Sequence, residues 1–371
     1  MARGTRSTGK RGAPATRRRA TKRPRKAKSP AETAEQVSAS RRASGVAKPD
    51  AARRLREFQP PPNDNLSSAF DRLGLVPERY RGTDQFIDIV TWNIRFFHDQ
   101  DSDRVRRIVN VLSELNADII VLQEIRNQSM EIVAEELRRL EVGYYSTAYG
   151  STGGDQRVAL LYDLDWVRAK EDIVELFGKG QITTTDGKDA FPRLPLFGAF
   201  TCLTEERPFD FQLLGVHLKS QRGGGEDQRT RAARELRSWL VDEAPRYDAD
   251  VIIMGDWNAP PSAEAWSVFH DLEDQGQVKF RSVNNESSIS HLMYRNKHDL
   301  GSRLDLAAVS MSASERMGEP PDVVRWAPLD DLLGNDPKAS QIKEFLKSLR
   351  EEVSDHLPVV TRFYFTDDGD D

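Results

Sequence analysis

From Phe86 onward the chain repeats one device, a short apolar run that stops on a polar side chain. IDIVTW runs into Asn93, DIIVLQ into Glu124, LLGV into His217, and VIIMG into Asp256 with Asn258 two residues on. SRLDLAAV carries Asp305 within it, and Asp355 and His356 stand just before LPVV. Short apolar runs bounded by turn formers read as buried strands. A polar group where such a strand ends sits on the rim of a rigid sheet, which is where a preorganised site is built. Taken singly, each of these residues is more often a cap, a surface charge or a buried structural hydrogen-bonder. Their recurrence in one chain is what points to a site.

The runs alternate with helical patterns. Phe86–Thr91 and Asp118–Leu122 read as strands. Asp103–Leu115 reads as a helix with Val105, Ile108, Val109, Leu112 and Leu115 on one face. Ser129–Leu140 reads as a second helix with Ser129 as N-cap. Val158–Tyr162, Trp166–Leu176, Leu196–Leu203 and Phe209–Leu218 are β-like, and Asp227–Glu243 is helical. Strand Val251–Met254, a helix from Ser262, strand Leu304–Val309, helix Ile342–Leu349 and strand Leu357–Phe365 complete the series. Strands outnumber helices and the two kinds mix, so a one-domain α/β sandwich is expected. No Gly-x-Gly-x-x-Gly or P-loop string is present, which argues against a doubly wound nucleotide fold.

The net charge of −5 over 371 residues conceals a division. Residues 1–56 hold 18 Lys/Arg and 3 Asp/Glu, leaving 36 basic and 56 acidic residues in the remainder. Residues 1–60 are nearly free of large apolar side chains and are expected to form a disordered basic tail. Its run RRRATKRPRKAK (Arg17–Lys28) suits phosphate-backbone contact. Residues 61–85 are read as a linker and lead-in helix, 86–366 as the catalytic domain and 367–371 as an acidic end. Cys202 is the one cysteine, so no intrachain disulfide forms, and no apolar stretch reaches bilayer length. An intracellular protein is expected, cytoplasmic in a bacterium or nuclear in a eukaryote, and a monomer.

Oxygen-rich carboxylate and amide groups with no Cys/His cluster suit a hard cation, Mg²⁺ first and Mn²⁺ second. One such cation, two histidines and several carboxylates fit phosphoester hydrolysis. Charge builds on the phosphate oxygens in the transition state and must be stabilised, and a His held by an Asp can deprotonate water. His98, His270, His291 and His298 lie in polar, loop-like stretches and receive no role.

The order Asn93, Glu124, His217, Asp256-x-Asn258, Asp305 and Asp355-His356 resembles the endonuclease/exonuclease/phosphatase superfamily. WNIRFF, QEIR, GDWNA, RLD and SDHLPV look most like its deoxyribonuclease I branch, chiefly through Arg95 and Arg126, each two residues after a site residue. The resemblance implies a four-layer αββα sandwich of two mixed β-sheets flanked by helices. It implies Glu124 as principal metal ligand with Asn93 and Asp355 nearby. His356 oriented by Asp305, and His217, would form the acid/base pair. Asp256 and Asn258 would orient water or phosphate, Arg193 would bind phosphate, and Arg126 would contact the nucleic-acid backbone. The expected activity is a Mg²⁺-dependent DNA endonuclease of low sequence specificity. A phosphatase or lipid phosphodiesterase of the same superfamily, acting on inositol phosphates or sphingomyelin, and a non-catalytic nucleic-acid-binding protein are the alternatives. The loop Lys219–Arg229, Gly-rich and basic at both ends, is either a surface turn or a flap near the phosphate.

Overall fold

The computed structural model describes residues 69–71, 74–204, 208–281 and 288–365. The expectations for the basic tail 1–60 and the acidic end 367–371 lie outside the described residues.

In chain order the elements are β1 (Ile87–Phe97), α1 (Ser102–Leu115), β2 (Ile119–Ile125), α2 (Met130–Arg139), β3 (Tyr145–Tyr149), β4 (Arg157–Asp163), β5 (Val167–Ala169), β6 (Val174–Glu175), β7 (Leu196–Cys202) and β8 (Asp210–His217). Then follow α3 (Glu226–Ser238), β9 (Val251–Asp256), α4 (Glu264–Asp274), β10 (Val278–Arg281), β11 (His291–Asn296), β12 (Asp299–Ser302), β13 (Asp305–Ser310) and α5 (Met311–Glu315). The last are β14 (Met317–Val323), α6 (Ala327–Gly334), α7 (Ala339–Glu352) and β15 (Val359–Phe363).

Two mixed sheets form, one in the order β14-β15-β1-β2-β4-β3, the other β10-β13-β9-β8-β7-β5 with β6 also on β7. Each holds a parallel pair, β1 with β2 and β8 with β9, joined through α1 and α3. A parallel pair requires such a crossover, and its helix lands on the sheet's outer face. Period-two alternation then divides the strands. Ile87, Ile89, Ile119, Val121, Leu213, Ile252, Met254 and Ala307 pack in the layer between the sheets. Val90, Trp92, Ile120, Leu122, Leu214, Ile253 and Ala308 join the helix residues Ile108, Leu112, Leu137, Leu236, Phe269 and Leu349. The result is the expected four-layer αββα sandwich.

Several local readings differ from the structure, each for a physical reason. The Trp166–Leu176 run is two short strands, β5 and β6, both on β7. Ser129 stands at the N-cap of α2 but makes no capping bond, because its hydroxyl donates to the Phe97 carbonyl at 3.2 Å. The helix read over Asp227–Glu243 is α-helical only to Ser238 and continues as one π turn. Of the expected linker and lead-in helix over 61–85, the described residues hold two 3₁₀ turns, Ala69–Asp71 and Glu78–Tyr80, with Gly74 at φ +92° between them; residues 61–68 and 72–73 lie outside the described residues. Edge strands β3 and β14 carry weak signals. β14 contains two prolines, tolerated because it lies at the sheet margin.

Candidate active site

Strand register builds the centre of the site. His217 on β8 pairs across to Asp256 on β9, and Asp256 pairs to Asp305 on β13. Three polar residues far apart in sequence thus form one row across the second sheet. In each strand the row continues the face that is apolar further in: Phe211 and Leu213 precede His217, Ile252 and Met254 precede Asp256, and Ala307 and Val309 follow Asp305. Asn93 ends the regular part of β1 opposite Gln123 in the first sheet. Its amide donates to Asp256 Oδ2 at 2.9 Å and lies 3.4 Å from Glu124 Oε1. One hydrogen bond therefore closes the gap between the two sheets at their polar end.

The backbone is bent to permit this. The β1–β2 register shifts between Asn93 and Phe97, and the β2–β4 register between Leu122 and Ile125. Arg95, Phe96, Glu124 and Asn258 all have positive φ, 41°, 47°, 62° and 51°. Left-handed backbone at non-glycine residues costs energy and collects where geometry matters more than stability. Here it turns the Glu124 carboxylate so that Oε2 accepts from Phe96 N at 3.1 Å while Oε1 lies 4.0 Å from His217 Nε2. Gly255, at φ +151°, brings β9 so close to β8 that an added Cβ would stand 2.0 Å from the Val216 carbonyl oxygen.

His356 enters from the loop before β15. Its Nδ1 lies 2.8 Å from Asp305 Oδ2, its N–H bonds Ser354 Oγ at 3.1 Å, and its carbonyl accepts from Trp92 Nε1 at 2.9 Å. Burial alone would push this imidazole down. The Asp305 carboxylate, by charge and hydrogen bond, and then Asp256 and Asp355, push it up to about 10. Burial, with Asp305 reinforcing and His356 opposing, raises Asp256 to about 7. His217, fully buried and facing the positive charges of Arg193 and His356, is held well below its usual value. Two histidines in one site are thus pushed in opposite directions, which is how one site presents a proton donor and a proton acceptor at the same pH.

The remaining expected residues are placed as follows. The Asn258 amide bonds the Leu218 carbonyl at 3.1 Å, and its backbone N–H bonds Asp256 Oδ1 at 2.9 Å. Arg193 is buried and spends its donors on the carbonyls of His217 and Leu218 and on Gln156 Oε1. It therefore braces the end of β8. Asp355 lies 3.5 Å from Arg95 Nε and 3.3 Å from Arg350 Nε. Among the described residues no bond joins it to Glu124 or Asn93. Arg126 is at the surface, paired with Asp155 at 2.6 Å, and among the described residues no hydrogen bond or ion pair joins it to the His217–Asp256–Asp305 row.

Two residues without an assigned role prove to belong here. Ser290 is fully buried. Its hydroxyl accepts from the N–H groups of Leu304 and Asp305, both at 3.0 Å, and its carbonyl accepts from Leu357 N at 2.7 Å. It thereby ties together the two segments that carry Asp305 and His356. His291 packs its ring 4.6 Å from that of His356. Their sequence surroundings, ISHLMY between polar stretches, hold no periodicity that would mark either.

A profile of the Endonuclease/Exonuclease/phosphatase family matches residues 90–267, from β1 into α4. That stretch, just under half of the chain, is similar to that family. A "Deoxyribonuclease" of Thioalkalivibrio sp. (strain K90mix) is 25% identical over 183 residues, 48% of either chain. The chain thus spans about half the length of the curated relative it matches. Among solved structures, the endonuclease/exonuclease/phosphatase of Bacteroides vulgatus is 14% identical, with a TM-score of 0.51 over 76% of this chain and 99% of that one. The human Nocturnin catalytic domain with bound sulfate anion is 19% identical, with a TM-score of 0.50 over 78% of this chain and all of that one. Both are likenesses of fold.

Endonuclease/exonuclease/phosphatase enzymes depend on a divalent metal, and the donors present here fit one. Asp256, Asp305 and His356 each offer a ligand atom within 4.8 Å of the others, and Glu124 approaches the same Asn93 amide as Asp256. Asp305 Oδ1 is buried with no hydrogen-bond partner among the described residues. An unmatched carboxylate oxygen in a buried acidic group is costly, and a hard cation or its bound water relieves that cost. No helix of the described residues is long and apolar enough to cross a membrane.

Proposed function

We propose that this protein is a Mg²⁺-dependent phosphodiester hydrolase acting on DNA, an endonuclease of low sequence specificity. The observation that carries the reading is the hydrogen bond of His356 to Asp305, the end of the row that holds Asp256 and His217, with Asn93 and Glu124 closing over it from the other sheet. The Deoxyribonuclease relative and the polycation at Arg17–Lys28 support a nucleic acid as substrate.

Glu124, with Asn93 and Asp256 beside it, would hold the cation, and Asp355 stands further out among its arginines. A divalent cation held there would supply Lewis-acid withdrawal of charge from the phosphate. Asp305 fixes the His356 ring through Nδ1 and leaves Nε2 for the reaction. The Asn258 amide would donate to the phosphate as its charge grows. Water adds to phosphorus, the bond to the leaving oxygen breaks, and the proton lost by water is balanced by one delivered to that oxygen. His356 and His217 divide these two transfers.

Supercoiled plasmid in Mg²⁺ buffer tests the reading, with a soluble inositol phosphate in parallel. Nicking by the wild-type protein, its loss in Glu124→Gln, and no release of phosphate from the inositol compound are expected. Phosphate release without nicking would transfer the site to the phosphatase reading. Tight, salt-sensitive DNA binding with no turnover in any divalent metal would leave a binding protein.

A further inference from the structure

Beside the end of β8 the structure gathers three cations, none of them in an ion pair among the described residues. Asp256, Glu124 and Glu226 act on the two arginines only from beyond contact distance, and no acid acts on Lys219. Arg193 and Arg229 are buried, 7% and 9% exposed, and Lys219 is half-buried. Their bonds go to neutral oxygens. Arg229 Nη1 donates to the carbonyls of Lys219, Ser220 and Gly224 at 3.0, 3.2 and 3.3 Å, and Lys219 Nζ to those of Ser220 and Arg222 at 3.3 and 3.2 Å. Arg193 holds the carbonyls of His217 and Leu218. Two glycines make the crowding feasible. A Cβ at Gly153 would lie 2.4 Å from Arg193 Cγ, and one at Gly225 2.5 Å from Lys219 Cγ.

Carbonyl dipoles solvate a cation without neutralising it, and burying like charges side by side is unfavourable unless an anion completes the group. The cost shows on Lys219, whose ammonium is pushed below its usual value by burial and by Arg193 and Arg229. The location says which anion. Lys219 follows His217 by two residues, and the carbonyl of the intervening Leu218 is shared by Arg193 and Asn258. We propose that Lys219 and Arg229, backed by Arg193, hold a second phosphodiester group of the substrate strand, the neighbour of the one cleaved. The proposal rests on the nuclease reading. It gives the loop Lys219–Arg229 a definite task, to make a strand with consecutive phosphates a better substrate than an isolated diester.

The test compares Lys219→Met with the wild type on a 20-nucleotide strand and on bis(p-nitrophenyl) phosphate, which has one diester and no neighbour. Lys219→Met keeps the stem that packs on Gly225. The expected result is a rise in KM for the strand of about tenfold, at least about fivefold more than any change on the small diester. The slope of log affinity against log salt for the strand should fall by about 0.7–0.9, the loss of one phosphate contact, and Lys219→Arg should restore both. Equal effects on the two substrates, or none, overturn the proposal. If the wild type hydrolyses the small diester but no nucleic acid, the nuclease reading fails. Binding of the labelled strand in EDTA then decides the subsite alone, and equal affinities of wild type and Lys219→Met reject it.

Discussion

Asp305 Oδ2 and His356 Nδ1 lie 2.8 Å apart, both buried, although 51 residues separate them in sequence. β13 delivers the carboxylate and the loop before β15 delivers the imidazole, and Ser290 bonds both segments. In Asp305→Asn the ring loses its charged partner but not its packing. The His356 pKa should fall from about 10, and turnover should drop about 10²–10⁴-fold, the usual worth of a positioned acid/base. NMR titration of the His356 ring checks the first and plasmid nicking the second. A variant with full activity would remove the pair from the mechanism.

Cation binding should stabilise the fold. A ligand that binds only the native state adds about 2.7 kcal/mol at one hundred times its Kd. Thermal unfolding of the wild type should therefore rise with Mg²⁺ or Mn²⁺ and fall back with EDTA. Glu124→Gln should show little or no rise. A variant that responds like the wild type would place the cation elsewhere.

The metal-free protein should lose stability as pH rises. His356 holds its proton in the native state up to about 10, against an ordinary value of 6.5. Between those values the native state binds more protons than the unfolded chain, so stability declines with pH. The contribution is whole below 6.5 and gone above about 10. Asp256, raised from 3.8 to about 7, acts in the same direction in the lower window. Unfolding temperatures in EDTA from pH 7 to 10 should fall for the wild type and fall less for His356→Asn. A rise across that range would contradict the assignment.

Gly255→Ala should destabilise the protein. Its φ of +151° disfavours any side chain, and its Cβ would stand 2.0 Å from the Val216 carbonyl oxygen. The conformation alone costs about 1–3 kcal/mol, and the contact forces β8 and β9 apart. Urea unfolding reads the loss, and activity should fall with it because His217 and Asp256 are paired across this point.

Removing residues 1–56, with their 18 Lys/Arg, should weaken DNA binding and flatten its salt dependence. Unchanged slopes in binding titrations would show that the basic run does not touch phosphate.

How far the site was readable depends on which force placed each residue. Asn93, Glu124, His217, Asp256 and Asp305 were found because an apolar run ends or begins at each, and the burial that makes the run apolar also anchors the polar residue at its tip. Ser290 and His291 were not found, because backbone pairing with Asp355–Leu357 places them, and hydrogen bonds to peptide groups leave no pattern in residue type. The bonds of the Arg193 guanidinium to the carbonyls of His217 and Leu218 are likewise contacts that composition does not encode.

The chain's own pattern was enough for a one-domain α/β sandwich and for the kind of chemistry, since alternation of apolar and polar residues is a local record of which face is buried; the four layers came from the resemblance of its motifs to a known family. Folding decided the rest. Register alone aligns His217, Asp256 and Asp305, two bulged strands turn Glu124 toward them, and only that convergence in a buried space sets His356 and His217 apart in proton affinity. Those effects depend on distances of a few ångströms between distant segments, and such distances exist only once the two sheets have closed on each other.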